Sequence, residues 1–176
     1  QFKESHHSLL SVDMKEKEGM VHVQTAKGSV SFDREAGIIS RYMDRHGNVL
    51  FEEMTNAFWR APIDNDVSIK RRWRKAGLDS IQTEVIRSDV AMDNSMVEIS
   101  VVKEHKAPGK DCGFTTNERY EIHGDGLVMI ETDIIPFGDL PHSLPRLGYE
   151  LKVDKACAEV SWYGLGPGDS YIDRHE

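Results

Sequence analysis

From Met20 the chain alternates between apolar and polar positions. Val21, Val23 and Thr25 interleave with His22 and Gln24, Ala26-Lys27-Gly28 supplies a turn, and Val30 and Phe32 resume the period of two, which predicts a β-hairpin. Asp33 to Gly37 is a second turn before a strand through Ile38, Ile39 and Tyr42, and Asp44 to Asn48 a third before Val49-Leu50-Phe51. Further strand-like segments are Gln82 to Arg87, Met96 to Glu104, Phe114 to Ile122, Leu127 to Ile135, Leu147 to Val153 and Ala158 to Tyr163. His123-Gly124-Asp125-Gly126 is the turn of a tight hairpin. Three prolines and no period mark Pro136 to Pro145 as an irregular crossover between sheets. Closely spaced turn signals of this kind predict an all-β, antiparallel sandwich or barrel.

Residues 1–19 mix charge with scattered apolar positions and read as a linker or edge segment, ahead of one β-domain over 20–176. One short helix is expected near residues 68–76. Ile69, Trp73 and Ala76 fall at i, i+4 and i+7, Ser68 or Asp66 is placed as N-cap, and Gly77 is placed to stop it. The opposite face carries Lys70, Arg71, Arg72, Arg74 and Lys75, a solvated face whose late cations suit the helix C-terminus.

The stretch Phe58-Trp59-Arg60-Ala61-Pro62-Ile63-Asp64-Asn65-Asp66 fits neither period. Pro62 lacks a backbone donor and pushes Ala61 towards an extended conformation, while Asp64, Asn65 and Asp66 favour turns and caps. An ordered loop is expected, organised by Arg60, Asp64 and Asn65, with the arginine fork facing one of the nearby carboxylates.

Composition narrows the function classes. Hydrophobic residues make up 39% and charged residues 30%, with no membrane-sized apolar run. The net charge of −8 weighs against a nucleic-acid partner, which needs a positive surface. Cys112 and Cys157 stand far apart with no Cys-x-x-Cys pattern, which favours two idle thiols over one disulfide. The histidines are dispersed, without the helical spacing of a metal site, so no metal ligands are assigned. Asp64 and Asp66 read as an ion pair and cap rather than an acid and base couple. Trp59, Trp73 and Trp162 offer flat apolar faces; in a β-rich domain such rings mostly anchor core and loops, and Trp59 and Trp162 are the candidates for stacking on a sugar. The glycines of Trp162-Tyr163-Gly164-Leu165-Gly166-Pro167 suit a tight corner, and the turn lacks the full spacing of a nucleotide-binding loop.

Four motifs in order carry a resemblance: Phe58 to Asp66, Trp73-Arg74-Lys75-Ala76-Gly77, Leu144-Pro145-Arg146-Leu147-Gly148, and Trp162 to Pro167 with Tyr171, Asp173 and Arg174. Together they resemble the C-terminal, small-chain-like domain of the large β-galactosidases of glycoside hydrolase family 2, over about Val30 to Arg174. The resemblance implies an antiparallel β-supersandwich of the galactose mutarotase-like kind, of which this chain is the N-terminal portion. It implies a parent enzyme that hydrolyses terminal β-D-galactosides with retention; its localisation is left open, between cytoplasm and periplasm if the source is a bacterium. Both catalytic glutamates of that family, and its Mg and Na ligands, lie in a preceding (β/α)8 barrel whose strand-helix repeat is not visible here. No catalytic residue and no cofactor is therefore expected in this chain. Its expected partner is the rest of the parent, above all the barrel, with galactoside contacted indirectly and no nucleic acid or membrane. Asp66, Val67 and Ser68 match the start of a loop at the active-site rim. The competing readings are a stand-alone carbohydrate-binding module, and a purely structural or subunit-contact domain.

Overall fold

The computed structural model describes residues 10–155 together with 157, 159 and 161. The strands are β1 (Asp13–Lys17), β2 (Met20–Thr25), β3 (Gly28–Asp33), β4 (Ile38–Asp44), β5 (Val49–Ala57), β6 (Gln82–Met92), β7 (Met96–Lys106), β8 (Gly113–His123), β9 (Val128–Phe137) and β10 (Gly148–Val153). A single helix, α1 (Lys70–Lys75), lies between β5 and β6 among the described residues, flanked by 3-10 turns at Asp64–Asp66 and Leu78–Ser80. Six strands form one sheet in the order β1-β2-β3-β4-β5-β10 and four form the other, β6-β7-β8-β9. Every pairing is antiparallel, so the all-β sandwich predicted by the alternation is the architecture.

Several boundaries differ from the sequence expectation, each for a local reason. The charged segment before Met20 supplies β1, an edge strand paired along its length with β2. β6 continues past Arg87 to Met92 because a bulge at Ile86 shifts the register between Val85 and Arg87; this breaks the alternation and turns Ile86 outward. β5 runs on through the polar Glu52-Glu53, held there by β10 on its other side. Pro136 sits inside β9, which is tolerated because β9 is the edge of its sheet. The 138–147 crossover carries the chain from β9 in one sheet to β10 in the other.

Helix α1 starts at Lys70, with Ile69 in the cap position and no side-chain cap. Neither Ser68 nor Asp66 is the N-cap, because the Asp66 carboxylate is committed to Arg60 and to the amide of Ile63 on the preceding side. Gly77 ends the helix at φ 79°, and a Cβ there would stand 2.4 Å from the Ala107 Cβ, so both conformation and space demand glycine.

The inward faces of the two sheets form the main core. Val21, Val23, Val30, Phe32 and Ile39 meet Val97, Ile99, Val101, Tyr120 and Ile122, all at most 1% exposed. Each such side chain contributes about 1.5–3 kcal/mol by leaving water. A second cluster of Phe58, Trp73, Leu78 and Phe114 closes one end, where α1 packs by Trp73. On β7 and β8 the inward phase then continues through polar residues: Lys103, His105, Thr116 and Glu118 are all nearly inaccessible. Lys103 Nζ lies 2.9 Å from Glu118 Oε2 and donates to Asn56 Oδ1 at 3.0 Å, while Asn56 Nδ2 donates to Glu118 Oε1 at 2.9 Å. Thr116 and Tyr120 hydroxyls supply the remaining donors, so the carboxylate receives four bonds. Asn56 comes from the other sheet, and the network therefore crosses the interface.

Removing one member of a buried ion pair leaves an uncompensated charge, at a typical cost of 3–5 kcal/mol. Lys103→Met is expected to lower the urea midpoint by an amount equivalent to roughly 3–5 kcal/mol, and Lys103→Met with Glu118→Leu to recover most of that loss. A single variant as stable as the parent would contradict this assignment.

Candidate functional site at the Trp59 loop and cleft

The irregular stretch after β5 is rigidly held. Arg60 grips Asp66 bidentately, at 2.6 and 3.1 Å, and Asp66 Oδ2 also accepts the Ile63 amide at 2.7 Å. The hydrogen bond from Arg60, then that from Ile63, holds the Asp66 carboxyl below the usual carboxylate range. The Arg60 guanidinium also lies 5.6 Å from the Trp73 ring centre, which ties the loop to α1 through a cation–π contact. Trp73 Nε1 in turn donates to Ser143 O at 2.8 Å, anchoring the helix to the 138–147 crossover.

Of the two acidic candidates, Asp66 is buried and takes the arginine; Asp64 and Asn65 lie exposed at the tip. Val67 and Ser68 are also exposed, Val67 at 62% and its neighbour across the 3-10 turn, Ile63, at 59%. A loop this tightly pinned thus presents two large aliphatic side chains to solvent. Trp59 is half-buried and meets Trp73 edge-on, with ring centres 6.3 Å apart. The other stacking candidate, Trp162, and the motif residues Tyr171, Asp173 and Arg174 lie outside the described residues.

Beneath Trp59 opens a cleft of about 290 Å³ between the end of β5, the Leu78–Ser80 turn, β6 and β10. Its apolar side is Trp59, Phe58, Leu78 and Ile81, and its polar side includes Thr83, Asp79 and Glu150. Thr83, Asp79 and Glu150 escaped sequence reading because they come from three separate elements. The residues behind them left a signal: Lys103, His105, Thr116 and Glu118 occupy the inward phase of adjacent strands, paired Lys103 with Thr116 and Val101 with Glu118.

These buried groups form a directional relay. The Thr116 hydroxyl donates to Glu118 Oε1 at 2.9 Å. With its one proton committed, Thr116 Oγ accepts from His105 Nε2, 3.0 Å away, and His105 Nδ1 then accepts from the Thr83 hydroxyl at 2.9 Å. That sense requires a neutral imidazole. Burial, then the Lys103 charge, pushes its pKa down to about 4. The phenyl ring of Phe58 covers it, centred 4.9 Å from the imidazole and stacked on Phe114 at 4.7 Å. Burial also opposes ionisation of Glu118, but the attraction of Lys103 and the donors Tyr120, Lys103 and Asn56 outweigh it and hold the carboxyl below its ordinary range.

The donor set does not fit a metal ion. Among the described residues no three His, Cys, Asp or Glu side chains converge, and the Asp66 and Glu118 carboxylates are already occupied by cations and N–H or O–H donors. Both cysteines are free thiols, and Cys112 Sγ donates to Ala76 O at 3.6 Å.

Because the folded pKa of His105 lies below its ordinary 6.5, its share of stability is full above pH 6.5 and is lost as pH falls towards 4. At about 1.36 kcal/mol per pKa unit this share is roughly 3 kcal/mol. NMR of the imidazole carbons should find His105 neutral at pH 5; a His105 transition near 6.5 would contradict the relay. For the loop, Asp66→Asn should speed exchange of the Ile63 amide by at least about tenfold, because its charged acceptor is lost, and Asp64→Asn should leave it unchanged. Equal effects of the two would show that Asp66 does not organise the loop.

Similarity to known proteins gives this architecture a family. The chain matches the family described as β-galactosidase small chain over residues 24–176. It is 31% identical over 165 residues to the β-galactosidase of Vibrio cholerae, covering 88% of this chain and 16% of that protein. The β-galactosidase of Actinobacillus pleuropneumoniae is 29% identical over 163 residues (93% and 16%), and that of Lactococcus lactis 29% identical over 171 residues (90% and 17%). The chain thus spans about one-sixth of the length of these relatives. The chain, whose described residues form a two-sheet antiparallel β-sandwich, belongs to the β-galactosidase small chain family.

Proposed function

We propose that this chain is an accessory, non-catalytic domain of a glycoside hydrolase family 2 β-galactosidase that hydrolyses terminal β-D-galactosides with retention. The domain packs against the catalytic barrel of the parent and contributes Asp66, Val67 and Ser68 to the rim of its active site. The observation that carries this reading is the loop itself: Arg60 and Asp66 lock its backbone while Ile63 and Val67 point outward. Ordering a loop costs conformational entropy, and exposing aliphatic side chains gains nothing in the isolated domain. A rigid loop with an apolar tip is suited to fit a partner surface. Two further facts support a silent domain. Retaining hydrolysis needs two available carboxyl groups about 5–5.5 Å apart, whereas Asp66 and Glu118 are each neutralised by a bound cation. Mg and Na belong, on this reading, to the catalytic domain of the parent.

The purified chain is expected not to hydrolyse a chromogenic β-galactoside, and intrinsic turnover that survives repurification would overturn the non-catalytic assignment. In the full-length enzyme, Ile63→Asp with Val67→Asp should lower kcat/KM by at least about tenfold, since burying unpaired charge at a packed contact costs more than ~1.4 kcal/mol. Unchanged kinetics would remove the loop from the barrel contact.

A further inference from the structure

The cleft beneath Trp59 has an unlike lining, apolar and polar, and the hydrogen-bond sense of its Thr83 hydroxyl is fixed from inside the protein. The Glu118 carboxylate can only accept, so protons along the relay point inward: Thr116 towards Glu118, His105 Nε2 towards Thr116, and Thr83 towards His105 Nδ1. Thr83 therefore faces the cleft with an oxygen whose own proton is already committed. Of the other polar groups there, Asp79 and Glu150 are carboxylates and accept only, while the Asn56 amide is engaged with Glu118 and Lys103 inside the protein. The indole of Trp59 lines the same cleft.

Acceptors and a broad apolar ring lining one cleft suit a ligand that carries several donors on one edge and a C–H face on the other. A pyranose has that construction: its hydroxyls donate and its C–H face stacks on an indole. A small organic cation would also donate, but it lacks the broad second face. The carboxylates already have cationic neighbours, Glu150 pairing with Arg146 and Asp79 lying 3.7 Å from Arg74, so the site favours a neutral ligand. The backing is rigid as well, since Lys103, His105, Thr116 and Glu118 are at most 2% exposed and mutually bonded.

We infer that this cleft is a pyranose-binding subsite in which Trp59 stacks on the ring and Thr83, Asp79 and Glu150 accept its hydroxyl protons. The choice of a galactoside as the sugar rests on the functional reading above; the sense of the Thr83 hydroxyl does not. The site uses none of the rim residues Asp66, Val67 and Ser68.

The test is an NMR titration of the purified chain with methyl β-D-galactopyranoside, with methylammonium chloride and glycerol as comparators. The expected result is saturable shifts at the Trp59 indole and the Thr83 amide in the millimolar range. Binding should weaken by at least about tenfold in Thr83→Val, because a site built to accept a hydroxyl proton loses that much when the acceptor goes. It should be retained in Thr83→Ser and lost in Trp59→Ala, with the Ile99 and Val97 methyl shifts confirming an intact core. No saturable response to the galactoside, an equal or stronger response to methylammonium, or equal affinity in Thr83→Val would overturn the subsite. A full-length enzyme active on galactosides whose isolated domain fails this titration would retain the domain assignment and lose the subsite. Binding here with an inactive full-length enzyme would do the reverse.

Discussion

A lysine and a glutamate buried between two sheets constrain everything around them. Neither Lys103 nor Glu118 can reach water, so each is viable only while the other, and Asn56 between them, stays in place. Apolar packing of Val21, Val23, Val97 and Ile99 holds the sheets together but tolerates small slips, because it is non-directional. The ion pair does not. Asn56 on β5 must meet Lys103 on β7 and Glu118 on β8 at hydrogen-bond distance, which fixes how the two sheets sit on one another. β5 leads directly into Phe58 and Trp59, so the same bond that aligns the sheets also positions the start of the loop.

The loop and the cleft depend on this alignment in different ways. The loop has its own local lock, Arg60 on Asp66, with Trp73 beneath the guanidinium and Ser143 beneath Trp73. The cleft has no lock of its own. Its polarity derives from Glu118, through Thr116 and His105, to Thr83. Cooperative chains of this sort polarise each member, and their order is lost if any one link reverses. Among the described residues the outer faces of the sandwich carry nothing comparable: Arg119 on β8 is surrounded by Glu98, Glu121 and Glu131, a solvated cluster of the kind that contributes little.

Alternation made the sandwich legible. Val21, Val23, Val30 and Phe32 advertise an inward face, and Gly77 a helix stop. The failures have physical causes. One bulged residue, Ile86, was enough to hide the second half of β6, and a strand flanked on both sides, β5, does not need apolar residues to be a strand. The helix cap was misread because Asp66 had a stronger partner in Arg60 than the helix could offer. The polar core was legible in principle, since Lys103, His105, Thr116 and Glu118 continue the phase of Val97 and Ile122. Reading it required knowing that β7 and β8 pair in the register that sets Lys103 against Thr116. The cleft as a whole could not be read: β10 returning to β5 brings Glu150 in, while Asp79 comes from the Leu78–Ser80 turn and Thr83 from β6 in the other sheet.

The measurement that bears most directly on this account is a double-mutant cycle between Asn56→Ala on one sheet and Lys103→Met on the other, read by equilibrium unfolding. If the buried ion pair joins the sheets through Asn56, the two losses will be coupled by at least about 1 kcal/mol. Losses that add within about 0.3–0.5 kcal/mol would mean the two residues act independently, and that alignment of the sandwich rests on its apolar core alone.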